Sequence, residues 1–340
     1  MRIVRRISAV IIGLVYLVAG LLKLMDPVGA GLVVDEYFRF FHLDALRGLS
    51  GFAGSAAALM ETVLGVALIT GVWRRIVGIA VLAVTGFFTA LTVILLIFNP
   101  PMDCGCFGEA VHLTHLQSFL KNVALLALWC LAFIPVSKQE PTRRVKYVSF
   151  GVACVSVCLF FLYSSFSLPL LDFTDYRPGA EIEDAGLYFS DAGGEYADSL
   201  ATEGKVLAIS VYNPAGIQKK SWDKFTKTLR SAEDAGFTPL LLAASYPEEI
   251  EKYTPAELLP YTYFADRKTL LTLNRSNGGA SYFFDGLIVA KWSAYAPPST
   301  EKLAGLSGGD AMDTLISRNN AARLKIQGFF IYLLAVLFLI

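Results

Sequence analysis

Five long apolar stretches dominate the first half of the chain. Each approaches or exceeds the roughly 20 apolar residues that cross a bilayer as a helix, and most charges fall between the stretches. The stretches are Ile7–Met25, Leu49–Gly71, Ile76–Phe98, Phe119–Val136 and Val145–Leu168. So dense a series is typical of a membrane bundle rather than of buried helices in a soluble protein.

The basic residues predict how this bundle is oriented. The first stretch follows a basic start, MRIVRR, but ends in LLKLMDP without a small-residue cleavage site, so we expect a retained helix rather than a signal peptide. Segments on one side carry nine Lys and Arg, against two (Arg39 and Arg47) in the loops 26–48 and 99–116. The positive-inside rule then places the N-terminus in the cytoplasm and residues from 170 onward outside a bacterial inner membrane, in the periplasm.

The second half alternates strand and helix signals instead. GKVLAISVY and FTPLLLAAS are patterned as buried strands, and SWDKFTKTLRSAEDAG between them has helical spacing that ends at Gly236. Two strands about an Asp-Gly turn are predicted at Ser281–Phe284 and Leu287–Trp292. A further hairpin is predicted in GLYFSDAGGEYADSL, with its turn at Gly193–Gly194.

The C-terminus carries a sixth apolar run, Ile326–Ile340. As a helix this run would be about 22 Å long, which is short for a span. A tail that returns into the bilayer is the favoured interpretation, and an interfacial anchor is the alternative.

Composition supports a two-part chain and excludes several function classes. The 340 residues are 55% apolar and 17% charged with zero formal net charge, which is too apolar for one soluble globule. There is no basic footprint for nucleic acid. Dinucleotide, Walker, zinc-protease and serine-hydrolase motifs are also absent from the sequence, so no nucleotide is predicted as a partner.

Two ionisable residues lie within the apolar stretches. Glu61 falls near the middle of the second, and an intramembrane acid is a functional candidate by default; a structural hydrogen bond between helices is the alternative. Lys23 lies near the outer end of the first stretch, where a lysine can extend its amine to the membrane interface.

The loop NPPMDCGCFGEAVHLTHL carries the clearest candidate chemistry. Cys104 and Cys106 are separated by one glycine on the side where disulfides persist. A disulfide between them would close a small strained ring, which favours a redox-active pair over a brace. Two alternatives stay open: an inert disulfide, or a metal site with His112 and His115, although that spacing is not a standard zinc pattern and no metal is predicted.

The other three cysteines, Cys130, Cys154 and Cys158, lie in apolar stretches. Buried cysteines usually act as small hydrophobes, and a second thiol pair at Cys154 and Cys158 is the alternative.

Residues 1–136 resemble the DoxX/MauE family of four-helix membrane proteins. The residues that carry the resemblance are AGLLKLMDP, METVLGVALITG and, most specifically, DCGCFGEAVHLTHLQSFLKNVALL of the MauE-like branch. That branch is associated with methylamine utilisation and with maturing a disulfide-rich dehydrogenase, and DoxX relatives are associated with thiosulfate and quinone redox chemistry. The resemblance points to Cys104 and Cys106, with Glu61 and Lys23 as helix motif positions.

Residues after 170 resemble a periplasmic thioredoxin-like domain through GKVLAISVYNP and SYFFDGLIVAKW. That family's chemistry needs Cys-x-x-Cys after the first core strand, at a helix N-terminus. The matching stretch Tyr212–Trp222 has no cysteine, and RSNGGAS stands where the family has its cis-proline. A degenerate thioredoxin-like fold used for binding is therefore predicted, with another small α/β domain as the alternative.

The predicted fold class is a membrane α-helical bundle, then a soluble α/β thioredoxin-like domain, then a short C-terminal hydrophobic helix. The predicted DoxX/MauE-like unit covers 1–137, with helices at about 7–25, 49–71, 76–98 and 117–136. It is followed by a fifth transmembrane helix over 138–169, the periplasmic domain over 170–317 and the C-terminal hydrophobic helix over 318–340.

The function predicted from the sequence is that of a redox-associated membrane protein. It would pass electrons or disulfides to an envelope client through Cys104 and Cys106, with Glu61 as the candidate intramembrane acid. The sequence identifies no cofactor and leaves a quinone open as acceptor. The alternative is a non-enzymatic envelope scaffold or assembly and maturation factor.

Overall fold

The computed structural model describes residues 2–134 and 143–338. Contacts divide the chain into two units: a membrane unit of residues 1–165 and 327–340, and a soluble unit of residues 166–326. The predicted architecture of a helical membrane region, an α/β region and a final helix is confirmed.

Among the described residues, seven helices build or enter the membrane unit. They are α1 Arg2–Met25, α2 Pro27–Phe40, α3 Ser50–Thr70, α4 Arg74–Phe98, α5 His115–Phe133, α6 Arg144–Phe166 and α12 Ala311–Phe338. Within the described residues, six helices are long and apolar enough to cross a membrane; the 14-residue α2 is not one of them. A short strand, β1 Cys106–Glu109, lies in the loop after α4.

Helices α1 and α3 approach each other closely because glycines lie at their contact surface. A Cβ added at Gly20 would lie 2.7 Å from the backbone nitrogen of Thr62, and one at Gly65 would lie 2.5 Å from that of Leu17. Neither position has room for a larger side chain, as is usual where membrane helices pack through their backbones. This approach brings facing side chains of α1 and α3 within ion-pair distance.

Hydrogen bonds in the bundle interior fasten α4 to its neighbours. The hydroxyl groups of Tyr16 on α1 and Thr85 on α4 are 2.7 Å apart, and the Trp129 indole on α5 donates to the Gly78 carbonyl at 2.7 Å. With no water available in the hydrocarbon region, such partners are what allow buried polar groups there.

The last helix is longer than its apolar run and packs antiparallel to α6. Helix α12 has 28 residues, because its first turns use the polar sequence before Ile326. Ser149 donates to the Val336 carbonyl at 2.9 Å, and the rings of Phe160 and Phe329 stack at 4.6 Å. Positions later in α6 thus meet positions earlier in α12.

The soluble unit is built on one five-stranded sheet in the order β4-β3-β2-β5-β6. The strands are β2 Lys205–Val211, β3 Thr238–Ala243, β4 Thr262–Phe264, β5 Gly279–Phe284 and β6 Leu287–Trp292. Strands β2, β3 and β4 pair in parallel, and β2-β5 and β5-β6 are antiparallel. The helices of this unit are α7 Ile182–Ala185, α8 Lys219–Asp234, α9 Pro247–Ile250, α10 Arg267–Leu273 and α11 Thr300–Gly308.

The two predicted hairpins have different outcomes. Asp285 and Gly286 turn between β5 and β6 with φ values of +44° and +78°, as a two-residue hairpin loop requires. Around Gly193–Gly194, by contrast, the structure has only a turn closed by a single bridge between Ser190 and Tyr196. The predicted strands are missing there because the Asp191 carboxylate accepts hydrogen bonds from backbone amides just after it and folds the segment on itself.

Candidate functional site

A cavity of about 660 Å³ lies inside the membrane unit. Helices α1 to α5 and the loop after α4 form its wall. Aliphatic and aromatic side chains make up most of that wall, and its volume is within the roughly 300–1,000 Å³ of small-molecule sites. Polar and ionisable groups of the wall include Tyr16, Lys23, Tyr37, Glu61, Cys104 and Cys106.

Lys23 and Glu61 form a buried ion pair at this wall. The Lys23 Nζ lies 2.8 Å from both carboxylate oxygens of Glu61, and the two side chains are only 11% and 7% exposed. The ammonium also lies 5.8 Å from the centre of the Phe88 ring. The expectation that Lys23 extends to the membrane interface is therefore wrong, because the carboxylate on α3 holds its amine inside the bundle.

Cys104 is held in place by contacts on three sides. It is 7% exposed. Its Sγ lies 3.1 Å from Nδ1 of His115, and its carbonyl accepts a 3.1 Å hydrogen bond from the Tyr37 hydroxyl on α2. Burial raises the pKa of the Cys104 thiol above its ordinary value. A hydrogen bond from the Ser118 hydroxyl acts in the opposite direction and lowers the pKa. This hydroxyl is fully buried and has no other hydrogen-bond partner among the described residues.

Gly105 gives the loop the conformation that brings both cysteines to one cavity. Its φ is +58°, which glycine adopts readily and other residues rarely. An added Cβ would overlap the Val33 side chain on α2. Cys106, half-buried, follows as the first residue of β1, and both cysteines are free thiols here.

The two histidines after the cysteines have different environments. His115 contacts Cys104, whereas His112 is exposed and its Nδ1 lies 2.8 Å from an Asp103 carboxylate oxygen. Over residues 2–134 and 143–338, no group of three or more His, Cys, Asp or Glu side chains is arranged to hold a metal ion.

The remaining three cysteines are not at the cavity wall. Cys130 on α5 and Cys158 on α6 are exposed, and Cys154 on α6 is half-buried, all as free thiols. Within the described chain they do not line the cavity, so the candidate site consists of Cys104 and Cys106 with Lys23 and Glu61.

In the soluble unit, an asparagine closes the segment that follows β2. The side-chain oxygen of Asn277 accepts hydrogen bonds from the amides of Tyr212 and Asn213 at 3.0 and 3.1 Å, and its nitrogen donates to the Asn213 carbonyl at 2.8 Å. Polar amide contacts thus close the segment that follows β2. No cysteine follows Cys158 in the sequence.

Sequence reasoning missed two contributors to the cavity. Helix α2, which supplies Tyr37 and Val33, was treated as loop, although Asp26 caps it and Pro27 occupies its first turn, a recognisable start signal. The pairing of His115 with Cys104 had no local signal, because it depends on how the loop folds over the N-terminus of α5.

Comparison with known proteins gives one family and one relative. Residues 1–135 match the family described as methylamine utilisation protein MauE, so the membrane region is MauE-like. The chain is also 31% identical over 72 residues to "Protein TlpB" of Flavobacterium psychrophilum, across 21% of this chain and 19% of that protein. It therefore spans about a fifth of this relative's length. No solved structure matches the chain significantly.

Proposed function

We propose that the membrane unit is a redox component that exchanges an electron pair between the thiols of Cys104 and Cys106 and a lipophilic acceptor in the cavity. The observation that carries this proposal is the shared wall: both cysteines and the Lys23–Glu61 pair line one largely apolar cavity. A structural disulfide would need no such cavity beside it.

The chemistry balances with a client and an acceptor. Oxidation of the two thiols forms one S–S bond and releases two electrons and two protons. A quinone takes up two electrons and two protons when it is reduced. The disulfide then passes to an envelope client by thiol–disulfide exchange, which returns Cys104 and Cys106 to thiols.

In this scheme the chain's own residues hold the acceptor ring and Cys104 in place and move the protons. The apolar wall excludes water and holds a ring, while Cys104 is fixed by the Tyr37 contact to its carbonyl. Lys23 and Glu61 place a proton donor and a proton acceptor together at the same cavity. We assign this pair to moving protons between the cavity and the loop, since buried ion pairs in membranes commonly mark proton pathways.

The soluble unit is proposed to bind the client and to lie in the periplasm. Its β3-β2-β5-β6 order, with a parallel pair followed by an antiparallel hairpin, supports a thioredoxin-like fold. The cysteine-free segment closed by Asn277 supports a binding role without thiol chemistry. The excess of Lys and Arg in the segments at the opposite membrane face supports the periplasmic placement.

Thiol trapping in intact cells tests the proposal. The background is Cys130→Ser, Cys154→Ser, Cys158→Ser, so that only Cys104 and Cys106 are labelled. We expect the pair to shift from disulfide to two thiols when client or reductant is supplied and to recover afterwards. If its state never changes, and a Cys104→Ser, Cys106→Ser variant keeps full function, the redox proposal is wrong.

A cavity-filling variant separates the acceptor from the thiols. Ala57 lines the cavity, whereas its neighbour Ala56 on α3 is exposed. Ala57→Phe is expected to stop reoxidation of the cysteines while leaving client exchange intact. Ala56→Phe adds the same volume outside the cavity and should reoxidise normally; equal behaviour of the two variants would remove the cavity from the mechanism.

A scaffold or assembly factor is the second candidate. The observation in its favour is the soluble unit, which has no cysteine and whose segment after β2 is closed by amide contacts. This candidate predicts that client binding by the soluble unit is enough for function. Full function of the Cys104→Ser, Cys106→Ser variant would therefore support it and would contradict the redox proposal.

A further inference from the structure

Reoxidation of the Cys104–Cys106 pair needs a way to deprotonate a buried thiol. The nucleophile is the thiolate, yet Cys104 is 7% exposed and its burial favours the neutral thiol. Without a nearby base, Cys104 would react slowly at neutral pH. The following inference rests on the proposed function, because it assigns a role within that same site.

His115 is positioned and oriented to accept the proton. Its Nδ1 lies 3.1 Å from Sγ of Cys104, and its Nε2 lies 3.2 Å from the carbonyl oxygen of Pro100. A carbonyl oxygen can only accept a hydrogen bond, so Nε2 carries the ring proton of neutral His115. Nδ1 is then left with a lone pair directed at the thiol, and this tautomer follows from the hydrogen-bond network.

The backbone around His115 is also fixed. His115 is the first residue of α5, whose N-terminus is closed by a capping box between Thr114 and Gln117. The Thr114 hydroxyl accepts from the Gln117 amide at 3.2 Å, and the Gln117 side chain accepts from the Thr114 amide at 3.0 Å. These bonds hold the first turn rigid and with it the imidazole beside Cys104.

We infer that His115 is the catalytic base of Cys104 and that Cys104 is the leaving thiol of the pair. Cys106 is the more exposed thiol and forms the mixed disulfide with the client. The client thiolate attacks the Cys106 sulfur of the Cys104–Cys106 disulfide: the bond from the client to Cys106 forms, the Cys104–Cys106 bond breaks, and Cys104 leaves as a thiolate that takes a proton from Nδ1 of protonated His115. A second client thiol then displaces Cys106, so the client leaves with the disulfide. When the pair is reoxidised, Nδ1 of His115 takes the Cys104 proton again and the Cys104 sulfur re-forms the bond to Cys106, while two electrons and two protons pass to the acceptor.

Other charged and titratable groups also face Cys104. Asp103 and Cys106 on its own loop disfavour its thiolate, and Lys121 on α5 favours it. Tyr37 on α2 contacts its carbonyl rather than its sulfur. Only His115 among these groups combines a lone pair with hydrogen-bond distance to Sγ.

The test measures the reactivity of Cys104 alone in the full-length protein. The four other cysteines are changed to serine, and the rate of alkylation by uncharged iodoacetamide is followed from pH 5 to pH 10. His115→Asn keeps a polar group near the Nδ1 position but cannot take the proton. His112→Asn is the matched control, since His112 pairs with Asp103 and does not touch the thiol.

We expect His115→Asn to lower the alkylation rate at pH 7 by about a hundredfold, the lower end of general-base effects, and His112→Asn to leave it unchanged. The difference should shrink toward pH 10, because hydroxide then takes over the deprotonation of the thiol. Equal rates at pH 7, or equal losses in both variants, would overturn the inference, and a loss of the same size from pH 7 to pH 10 would show a structural role instead. The readout needs no client or acceptor, so it can fail or succeed independently of the trapping experiment.

Discussion

The Lys23–Glu61 pair gives a quantitative prediction about the membrane unit. Both Glu61 oxygens lie 2.8 Å from Nζ of Lys23, and neither side chain is more than 11% exposed. Screening by water is therefore weak. Replacing Lys23 by Met leaves a carboxylate between α1 and α3 with its cation removed, and replacing Glu61 by Met leaves the ammonium equally isolated.

Removing one partner of a buried ion pair typically costs about 3–5 kcal/mol, because the remaining charge is left uncompensated. Replacing both partners by apolar residues of similar volume is often nearly neutral. We therefore expect Lys23→Met and Glu61→Met each to lower the free energy of unfolding by about 3 kcal/mol or more. The double variant should lie within about 1 kcal/mol of the original protein.

The assay is denaturant-induced unfolding of the three variants and the original protein in mixed micelles, followed by tryptophan fluorescence and analysed as a double-mutant cycle. The variant Ala56→Met serves as the control for changing an exposed position on α3. Losses below about 0.5 kcal/mol, the usual limit for ordinary surface changes, would refute the reasoning. So would a double variant equal to the sum of the single ones.

Three further predictions concern the loop, the soluble unit and the topology. Gly105→Ala should slow formation of the Cys104–Cys106 disulfide, because the φ of +58° is unfavourable for alanine and its Cβ overlaps Val33; adding Val33→Ala should restore only part of the rate in the trapping assay, and full activity of the single variant would contradict this. In the soluble unit, burial acts to raise the pKa of Asp172, but the Lys291 ammonium at 2.7 Å brings it below its ordinary value. The stability from this pair is therefore present at neutral pH and lost as the pH falls below about 4, so Asp172→Asn should lower the thermal midpoint at pH 7 by an amount that shrinks toward pH 3, whereas a constant difference would argue against it. A periplasm-active reporter fused at residue 240 should be active, and activity of a cytoplasmic reporter there instead would reverse the proposed orientation.

The membrane helices were predictable because a span needs a long apolar run, and the runs were present. Ile76–Phe98, for example, became α4 with only small changes at its ends. The hairpin at β5 and β6 was also predictable, since Asp-Gly at a turn has few other conformations available. These features depend on residues adjacent in sequence.

Features that depend on distant contacts were not predictable. The amine of Lys23 turns inward only because Glu61 faces it from α3, 38 residues away. The contact between His115 and Cys104 requires the loop to fold back onto the start of α5, and α2 must cover that loop for the cavity to exist. The sequence pattern predicted the candidate residues Cys104, Cys106, Glu61 and Lys23. The cavity beside them is seen only in the structure, because it forms by packing of helices that are distant in sequence.

The central claim is that Cys104 and Cys106 exchange an electron pair with a lipophilic acceptor in the cavity. The most direct test mixes the reduced, full-length protein, with its other three cysteines replaced by serine, with one equivalent of a short-chain ubiquinone without oxygen. Thiols are counted by alkylation and mass, and quinol is counted by absorbance. We predict one quinol formed and two thiols lost per protein, with neither change in Cys104→Ser or Cys106→Ser; thiols that stay reduced beside unreacted quinone would contradict the account.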